Sequence, residues 1–196
     1  QKSDKKVIAV NETLKTIAER YSCRDFDGVM PPDEDLQAIA RAAIQAPSGV
    51  NRQHWQIIVV KNRQLLNDME AEGLKMLAAM EDPSFYQRIM SRGGKLFYNA
   101  PCMVLIAVKE AQPKGAELID LGIVAQNVAL AATSLGIANV HCGLVGLAFA
   151  GEKASEFKKR LQFPEGYECG LGVLLGYAKT TKPPHEPNPE KITWIE

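Results

Sequence analysis

The chain has no excess of charge of either sign. Lysine plus arginine and aspartate plus glutamate each number 23 among its 196 residues, so the formal net charge is zero. A protein that works mainly by binding nucleic acid or an anionic membrane is expected to carry a basic excess. The longest basic run, Lys158-Lys159-Arg160, is typical of a solvated helix face. We therefore expect neither nucleic acid nor a membrane as a partner.

Cysteine and histidine are sparse, and their spacing supports neither a metal site nor a disulfide framework. No C-x-x-C pair occurs, and the histidines are far apart in the sequence. Two of the cysteines lie in apolar runs, where a free cysteine behaves as a small buried hydrophobic residue. The residues concerned are Cys23, Cys102, Cys142, Cys169, His54, His141 and His185.

Several nucleotide-binding and hydrolase motifs are also missing. No G-x-x-x-x-G-K-[ST] sequence occurs, which argues against a P-loop protein, and no G-x-S-x-G sequence, which argues against an α/β-hydrolase. The glycines of segment 170–176 are wrongly spaced for a dinucleotide loop and lie inside an apolar run, so we assign them to backbone packing. The longest apolar stretch, 118–135, contains polar residues and predicts a helix buried in protein.

The sequence lacks an initiator methionine and a secretory h-region. It begins at Gln1 with a polar segment, which indicates processing or trimming at this end. Nothing in it requires export, and we expect a cytoplasmic protein. Its composition, 46% apolar and 23% charged, is ordinary for a globular protein. The length fits one large domain or at most two small ones. No linker composition occurs, so we expect a single domain over residues 1–196.

Hydrophobic periodicity and capping residues predict alternating helices and strands. Helices are expected over 11–21, 33–46, 63–80, 116–135 and 152–162, and strands over 55–60, 101–108, 137–142 and 167–178. The first strand is a continuous apolar run, which predicts that both its faces are covered. Residues 81–95 are polar and contain Gly93-Gly94, which predicts an irregular loop. The alternation favours an α/β or α+β sandwich around one core.

The C-terminal segment 183–196 has an unusual composition. Its four prolines prevent it from packing as a helix, which predicts an extended arm. The arm nevertheless ends in Ile192-Thr193-Trp194-Ile195, and large apolar side chains should not be left in water. We expect the arm either to reach another subunit or to wrap around its own domain.

The strongest chemical signal is Arg20-Tyr21-Ser22-Cys23-Arg24. It places two guanidinium groups and a hydroxyl at the end of the first predicted helix. Such groups can converge on one anion, because arginine makes bidentate contacts with phosphate. Alone, a stretch of this kind is more often surface charge, so a soluble α/β domain with an exposed arginine pair is the plain alternative.

A second motif, A-P-S-G-V-N-R-Q-H-W over residues 46–55, leads directly into the first strand. Together, the R-x-S-x-R and A-P-S-x-x-N-x-Q-x-W motifs resemble the nitroreductase family, whose members are FMN-dependent homodimers. The resemblance covers nearly the whole chain, including Gln126-Asn127 in the long helix. It implies an α+β, three-layer sandwich with a mixed, mostly antiparallel sheet flanked by helices. It also implies that the C-terminal arm crosses to the partner subunit.

The resemblance assigns a role to each matching position. Arg20 falls where the family contacts the FMN phosphate, Ser22 where it contacts phosphate or ribityl, and Arg24 near the N1–C2=O edge of the flavin. The turn of the second motif would approach the flavin from the partner subunit, and the Gly143 backbone N–H would point at N5. The implied cofactor-binding residues are Arg20, Tyr21, Ser22, Arg24, Pro47, Ser48, Gly49, Asn51, His141, Cys142, Gly143, Leu144 and His185.

The sequence departs from the family pattern at four places. His54 stands where a proline is usual, and only His185 or Lys182 is placed to supply the second phosphate contact of the tail. Segment 141–144 has no acidic residue, which argues against a specific nicotinamide-binding role for it. Residues 81–95 are short where some relatives carry a long insertion, which implies either an open pocket or a small, selective one.

The resemblance implies ping-pong redox chemistry with tightly but non-covalently bound FMN and NAD(P)H as co-substrate. The acceptor would be a nitroaromatic, a quinone or a similar conjugated compound, and no catalytic side chain is required. Two alternatives share the same cofactor contacts: a flavin-binding protein for storage or regulation, and a specialised member acting on one metabolite. The motifs do not separate the three, and they leave open the physiological acceptor and the choice between NADH and NADPH.

Overall fold

A computed structural model describes residues 11–109 and 115–196 of the chain. The helices are α1 (Glu12–Glu19), α2 (Asp33–Ile44), α3 (Arg63–Ala78), α4 (Ser84–Met90), α5 (Ala116–Ser134) and α6 (Ala154–Arg160). The strands are β1 (Trp55–Val60), β2 (Cys102–Lys109), β3 (Ala138–Cys142) and β4 (Tyr167–Gly176). Short 3-10 helices cover Gly49–Asn51, Gly143–Phe149 and Pro189–Lys191.

The four strands form one sheet in the order β1-β2-β4-β3, with every neighbouring pair antiparallel. A single parallel bridge joins Ser22 to Asn139 on β3. Helices α2 and α5 cover one face, where Ile39 and Val128 pack against Val173. Helices α3, α4 and α6 cover the other. The α+β, mostly antiparallel three-layer sandwich is thereby confirmed.

The helix boundaries follow from local capping chemistry. Asn11 begins α1 by accepting a hydrogen bond from the Leu14 backbone N–H at 2.9 Å, as an N-cap residue does. Helix α2 begins directly after Pro31-Pro32. Gly136 takes a φ of +73° just past α5, a left-handed conformation that glycine adopts at little cost.

The glycines of β4 allow close packing, as the sequence predicts. A Cβ on Gly170 would lie 2.8 Å from the Ile106 carbonyl oxygen of the neighbouring strand. A Cβ on Gly176 would lie 2.6 Å from Cδ of Pro101. Both positions exclude a side chain, and neither belongs to a dinucleotide-binding loop.

One sequence-based prediction is wrong. Residues 81–95 are not wholly irregular, because they contain α4. Just before this helix, Asp82 accepts hydrogen bonds from the backbone N–H and the hydroxyl of Ser84. Strand β1 lies at the edge of the sheet, yet it packs on both faces: Val60 belongs to the core on one side and Trp55 to the core on the other, while Gln56 is exposed. An apolar run reports that a strand is partly buried, and it does not report the strand's position in the sheet.

The C-terminal arm does not bury its apolar end against its own domain. Trp194 is 83% exposed and Ile195 is 90% exposed. Of the two alternatives for the arm, the one in which it wraps around its own domain is therefore wrong.

Within the described ranges, none of the helices combines the length and the apolar character that a bilayer span needs.

Candidate functional site

The arginine motif forms a corner between α1 and the sheet. Helix α1 ends at Glu19 because Arg20 takes extended dihedral angles, while its backbone N–H still donates to Thr16. The chain then runs beside β3, and the Cys23 backbone N–H donates to the Asn139 carbonyl at 2.9 Å. Cys23 and Phe26 are buried in the core and hold this segment in place.

The extended backbone gives the corner two sides. Tyr21 and Cys23 face the core. Because successive side chains of an extended chain point in opposite directions, we expect the alternating residues Arg20, Ser22 and Arg24 to share the other side. Burial raises the pKa of the Cys23 thiol, and the nearby Lys182 charge opposes that shift. The base of the C-terminal arm therefore lies at the same corner.

Further contacts hold the base of the arm there. The Lys179 backbone N–H donates to the Asp25 carbonyl at 2.9 Å, and the Thr180 hydroxyl donates to the Asp25 carboxylate at 3.0 Å. Lys182 follows two residues later, and its charge acts on the Cys23 thiol. His185 is exposed, and its contact with phosphate stays a prediction.

A cavity of about 220 Å³ opens beside Arg20. It lies between the ends of α1 and α5, the start of β3 and the base of the arm. Its lining residues are Glu19, Arg20, Tyr21, Thr133, Gly136, Ile137, Ala138, Asn139, Ala178 and Thr181. Drug-sized ligands usually occupy about 300–1,000 Å³, so this volume fits part of such a ligand.

Two residues that line this cavity each have a polar atom that is buried without a hydrogen-bond partner among the described residues. These atoms are Nη1 of Arg20 and Oδ1 of Asn139. Buried polar groups in native proteins are nearly always paired, and the exceptions call for an explanation such as a ligand or water. These two residues make the cavity a candidate place for a polar ligand.

Strand β3 runs from this corner to a second part of the site. His141 follows Asn139 on the same face. Burial lowers the pKa of His141, the Arg20 charge lowers it further, and a hydrogen bond to the Ala125 carbonyl opposes both. Burial thus favours the neutral form of His141. Beyond buried Cys142, Gly143 is exposed and begins a 3-10 helix, where the first N–H groups have no partner within the helix.

The turn of the second motif lies apart from the cavity and packs on α5. The Gly49 backbone N–H donates to the Asp120 carboxylate at 3.2 Å, and the Ser48 hydroxyl oxygen accepts from the Gln53 backbone at 3.0 Å. Val50, Asn51 and Gln53 all have positive φ, at 48°, 56° and 51°. This conformation is a rare one for a β-branched residue such as Val50.

The structure thus brings together only part of the expected site. Arg20, Tyr21 and Ser22 meet β3, which leads to the segment His141–Leu144. None of Pro47, Ser48, Gly49 and Asn51 lines the cavity, and their approach from a partner subunit stays a prediction. Sequence reasoning missed Asn139, although a polar residue in a buried strand was a usable signal.

Comparisons with known proteins agree with this arrangement. The sequence model of the Nitroreductase family matches residues 17–177. An Archaeoglobus fulgidus protein, provisionally named an NADH dehydrogenase/NAD(P)H nitroreductase, is 30% identical over 193 residues, which cover 93% of this chain and 97% of the relative.

Two solved structures are also similar. A nitroreductase with bound FMN from Desulfitobacterium hafniense DCB-2 has 65% identity and a TM-score of 0.93, covering 95% of this chain and all 100% of that one. One from Bacteroides fragilis NCTC 9343, also with bound FMN, has 29% identity and a TM-score of 0.85 over the same shares of 95% and 100%. With the family model matching most of its length, this chain belongs to the nitroreductase family of oxidoreductases.

Proposed function

We propose that the chain is an FMN-dependent oxidoreductase that oxidises NAD(P)H and reduces a nitroaromatic, a quinone or a similar conjugated acceptor. The observation that carries the proposal is the unpaired Nη1 of Arg20, a residue that lines a cavity of partial-ligand size. The FMN bound in the Desulfitobacterium hafniense nitroreductase, at 65% identity, supports the choice of cofactor. A single domain and a cytoplasmic location are part of the proposal.

The residues at the corner fit the phosphate end of FMN. A buried guanidinium group without a partner is costly, and an anion would satisfy it with charge-assisted hydrogen bonds. The Ser22 hydroxyl shares that side of the chain, and Lys182 at the base of the arm adds a second positive charge nearby. We assign the phosphate to these three residues.

The far end of β3 fits the ring. Bound FMN would supply the hydride-transfer chemistry. Gly143 is exposed and has no side chain to block a planar group, so its backbone N–H can donate to a ring nitrogen. Arg24 is exposed on the arginine side of the corner, where its charge would stabilise negative charge at the N1–C2=O edge. No side chain on this chain needs to act as a general acid.

We further propose that the site is completed in a homodimer. The cavity is smaller than a typical site for a drug-sized ligand, and the A-P-S turn lies outside it. The arm exposes Ile192, Trp194 and Ile195, which a second copy would cover. The outer edge of β1 has no strand partner among the described residues and offers backbone groups to an added segment.

The test is reduction of the bound flavin. Purified protein should be yellow, or become yellow on reconstitution with FMN, and anaerobic NADH or NADPH should bleach the flavin absorbance. Addition of a quinone or nitroaromatic should restore the absorbance over many turnovers. A colourless protein that cannot be reconstituted would refute flavin binding. Bound flavin that neither NADH nor NADPH reduces would instead indicate storage or regulation.

A further inference from the structure

The amide orientation of Asn139 is fixed by its surroundings. Its Nδ2 donates to the Ala129 carbonyl at 3.1 Å and to Oγ1 of Thr133 at 2.9 Å, and the Ile137 carbonyl lies 3.4 Å away. The Thr133 hydroxyl gives its own hydrogen to Ala129 at 2.8 Å, so it must accept from Asn139. Every group around Nδ2 is therefore an acceptor, and reversing the amide would place oxygen against oxygen.

The remaining oxygen of Asn139 is left without a donor. The residue is only 2% exposed, and Oδ1 has no hydrogen-bond partner among the described residues. Bulk water does not reach it in this chain. A buried acceptor without a donor costs free energy, so a donor is expected in the ligand-bound protein.

The second unpaired atom, on another residue that lines the same cavity, is a donor. Arg20 Nη1 and Asn139 Oδ1 have complementary polarity, yet they are not hydrogen-bonded to each other. A group that satisfies both must accept from the guanidinium and donate to the amide oxygen. A hydroxyl does both, whereas an ionised phosphate oxygen can only accept.

We propose that Asn139 is a further ligand-binding residue, whose Oδ1 accepts a hydrogen bond from a hydroxyl of the flavin's polyol chain. The same hydroxyl accepts from Arg20 Nη1, which leaves the rest of that guanidinium for the phosphate. This inference rests on the proposed function. Asn139 and Gly143 are four residues apart, or about 13 Å of strand at about 3.3 Å per residue. The strand therefore runs from the place proposed for the ring to the corner at Ser22 and Arg20.

The experiment measures affinity across a ligand series, using the full chain stripped of flavin and fluorescence titration. The ligands are FMN, riboflavin, which lacks the phosphate, and lumiflavin, which lacks phosphate and polyol. Asn139→Ala should weaken FMN and riboflavin by a similar factor of about three to ten, as expected for one hydrogen bond, and leave lumiflavin unchanged. Ser134→Ala is the matched control and should preserve all three affinities within about twofold, because Ser134 lies on the same helix outside the cavity lining and its hydroxyl donates to the Ala131 carbonyl at 2.8 Å.

A second measurement needs no variant and covers the case in which Asn139→Ala fails to fold. An FMN analogue with hydrogens in place of its polyol hydroxyls should bind the unaltered protein at least tenfold more weakly than FMN. An analogue that binds as well as FMN would overturn the proposal. Equal losses for all three ligands in Asn139→Ala would show a purely structural role. Failure of the unaltered protein to bind any flavin would refute the proposed function itself.

Discussion

Replacing Arg20 with methionine should weaken FMN binding while leaving the flavin-free protein at least as stable as before. Methionine keeps the aliphatic stem and removes the guanidinium. Hydrogen bonds to charged groups contribute about 1.5–3 kcal/mol. At about 1.4 kcal/mol for each tenfold change, the FMN dissociation constant should rise roughly 10- to 150-fold. In the flavin-free state Nη1 is buried without a partner, so its removal relieves a desolvation cost.

The assay combines fluorescence titration with FMN and denaturant unfolding of the stripped protein. Arg41→Met is the matched control, because Arg41 is an exposed arginine in the last turn of α2, away from the cavity. The FMN affinity of Arg20→Lys should fall between those of Arg20→Met and Arg41→Met, since lysine keeps the charge and loses the bidentate geometry. An FMN affinity of Arg20→Met equal to that of the control would refute the phosphate role. A large loss of stability without flavin would show that Arg20 has a partner in solution.

Three further outcomes are expected. Truncation after Pro183 should yield a monomer in sedimentation, because it removes the exposed apolar end of the arm, and a dimer of unchanged stability would show that the arm serves another purpose. Gly176→Ala should lower the unfolding free energy by about 1–3 kcal/mol through overpacking. This loss of unfolding free energy should exceed that of Gly172→Ala, because a Cβ on Gly172 would meet the flexible Met103 side chain instead of a proline ring. Equal losses for the two variants in denaturant unfolding would contradict that reasoning. Because the folded pKa of His141 lies below the unfolded value of about 6.5, stability should fall as pH drops below that value. His141→Gln should make the unfolding free energy depend less steeply on pH. An unaltered pH dependence would show that another group takes up the proton.

Local chemistry was readable from the sequence wherever a short segment determines its own structure. Asn11, Pro31-Pro32 and Gly136 mark helix ends through capping and fixed dihedral angles, and the structure confirms all three. The arginine motif was readable for the same reason. Its extended backbone, which we expect to set Arg20, Ser22 and Arg24 on one side, is a property of a few consecutive residues.

The features that could not be predicted from the sequence depend on contacts between distant segments. Strand order placed β1 at an edge, which no property of an apolar run reveals. The unpaired oxygen of Asn139 is defined by Ala129 and Thr133 on α5 and by Arg20, all far from it in the sequence or on another element. The positive φ of Val50 was equally hidden, because a β-branched side chain argues against that conformation.

The strained turn around Val50 has a consequence for engineering. Glycine would adopt its φ of 48° without a steric penalty, so Val50→Gly is an obvious substitution for anyone seeking a higher melting temperature. The side chain is 89% exposed, and its removal would leave no hole in the core. The same substitution would widen the range of shapes open to the loop, which is now confined by the contacts of Ser48 and Gly49. Thermostability alone would therefore be a poor guide for choosing improved forms of this protein.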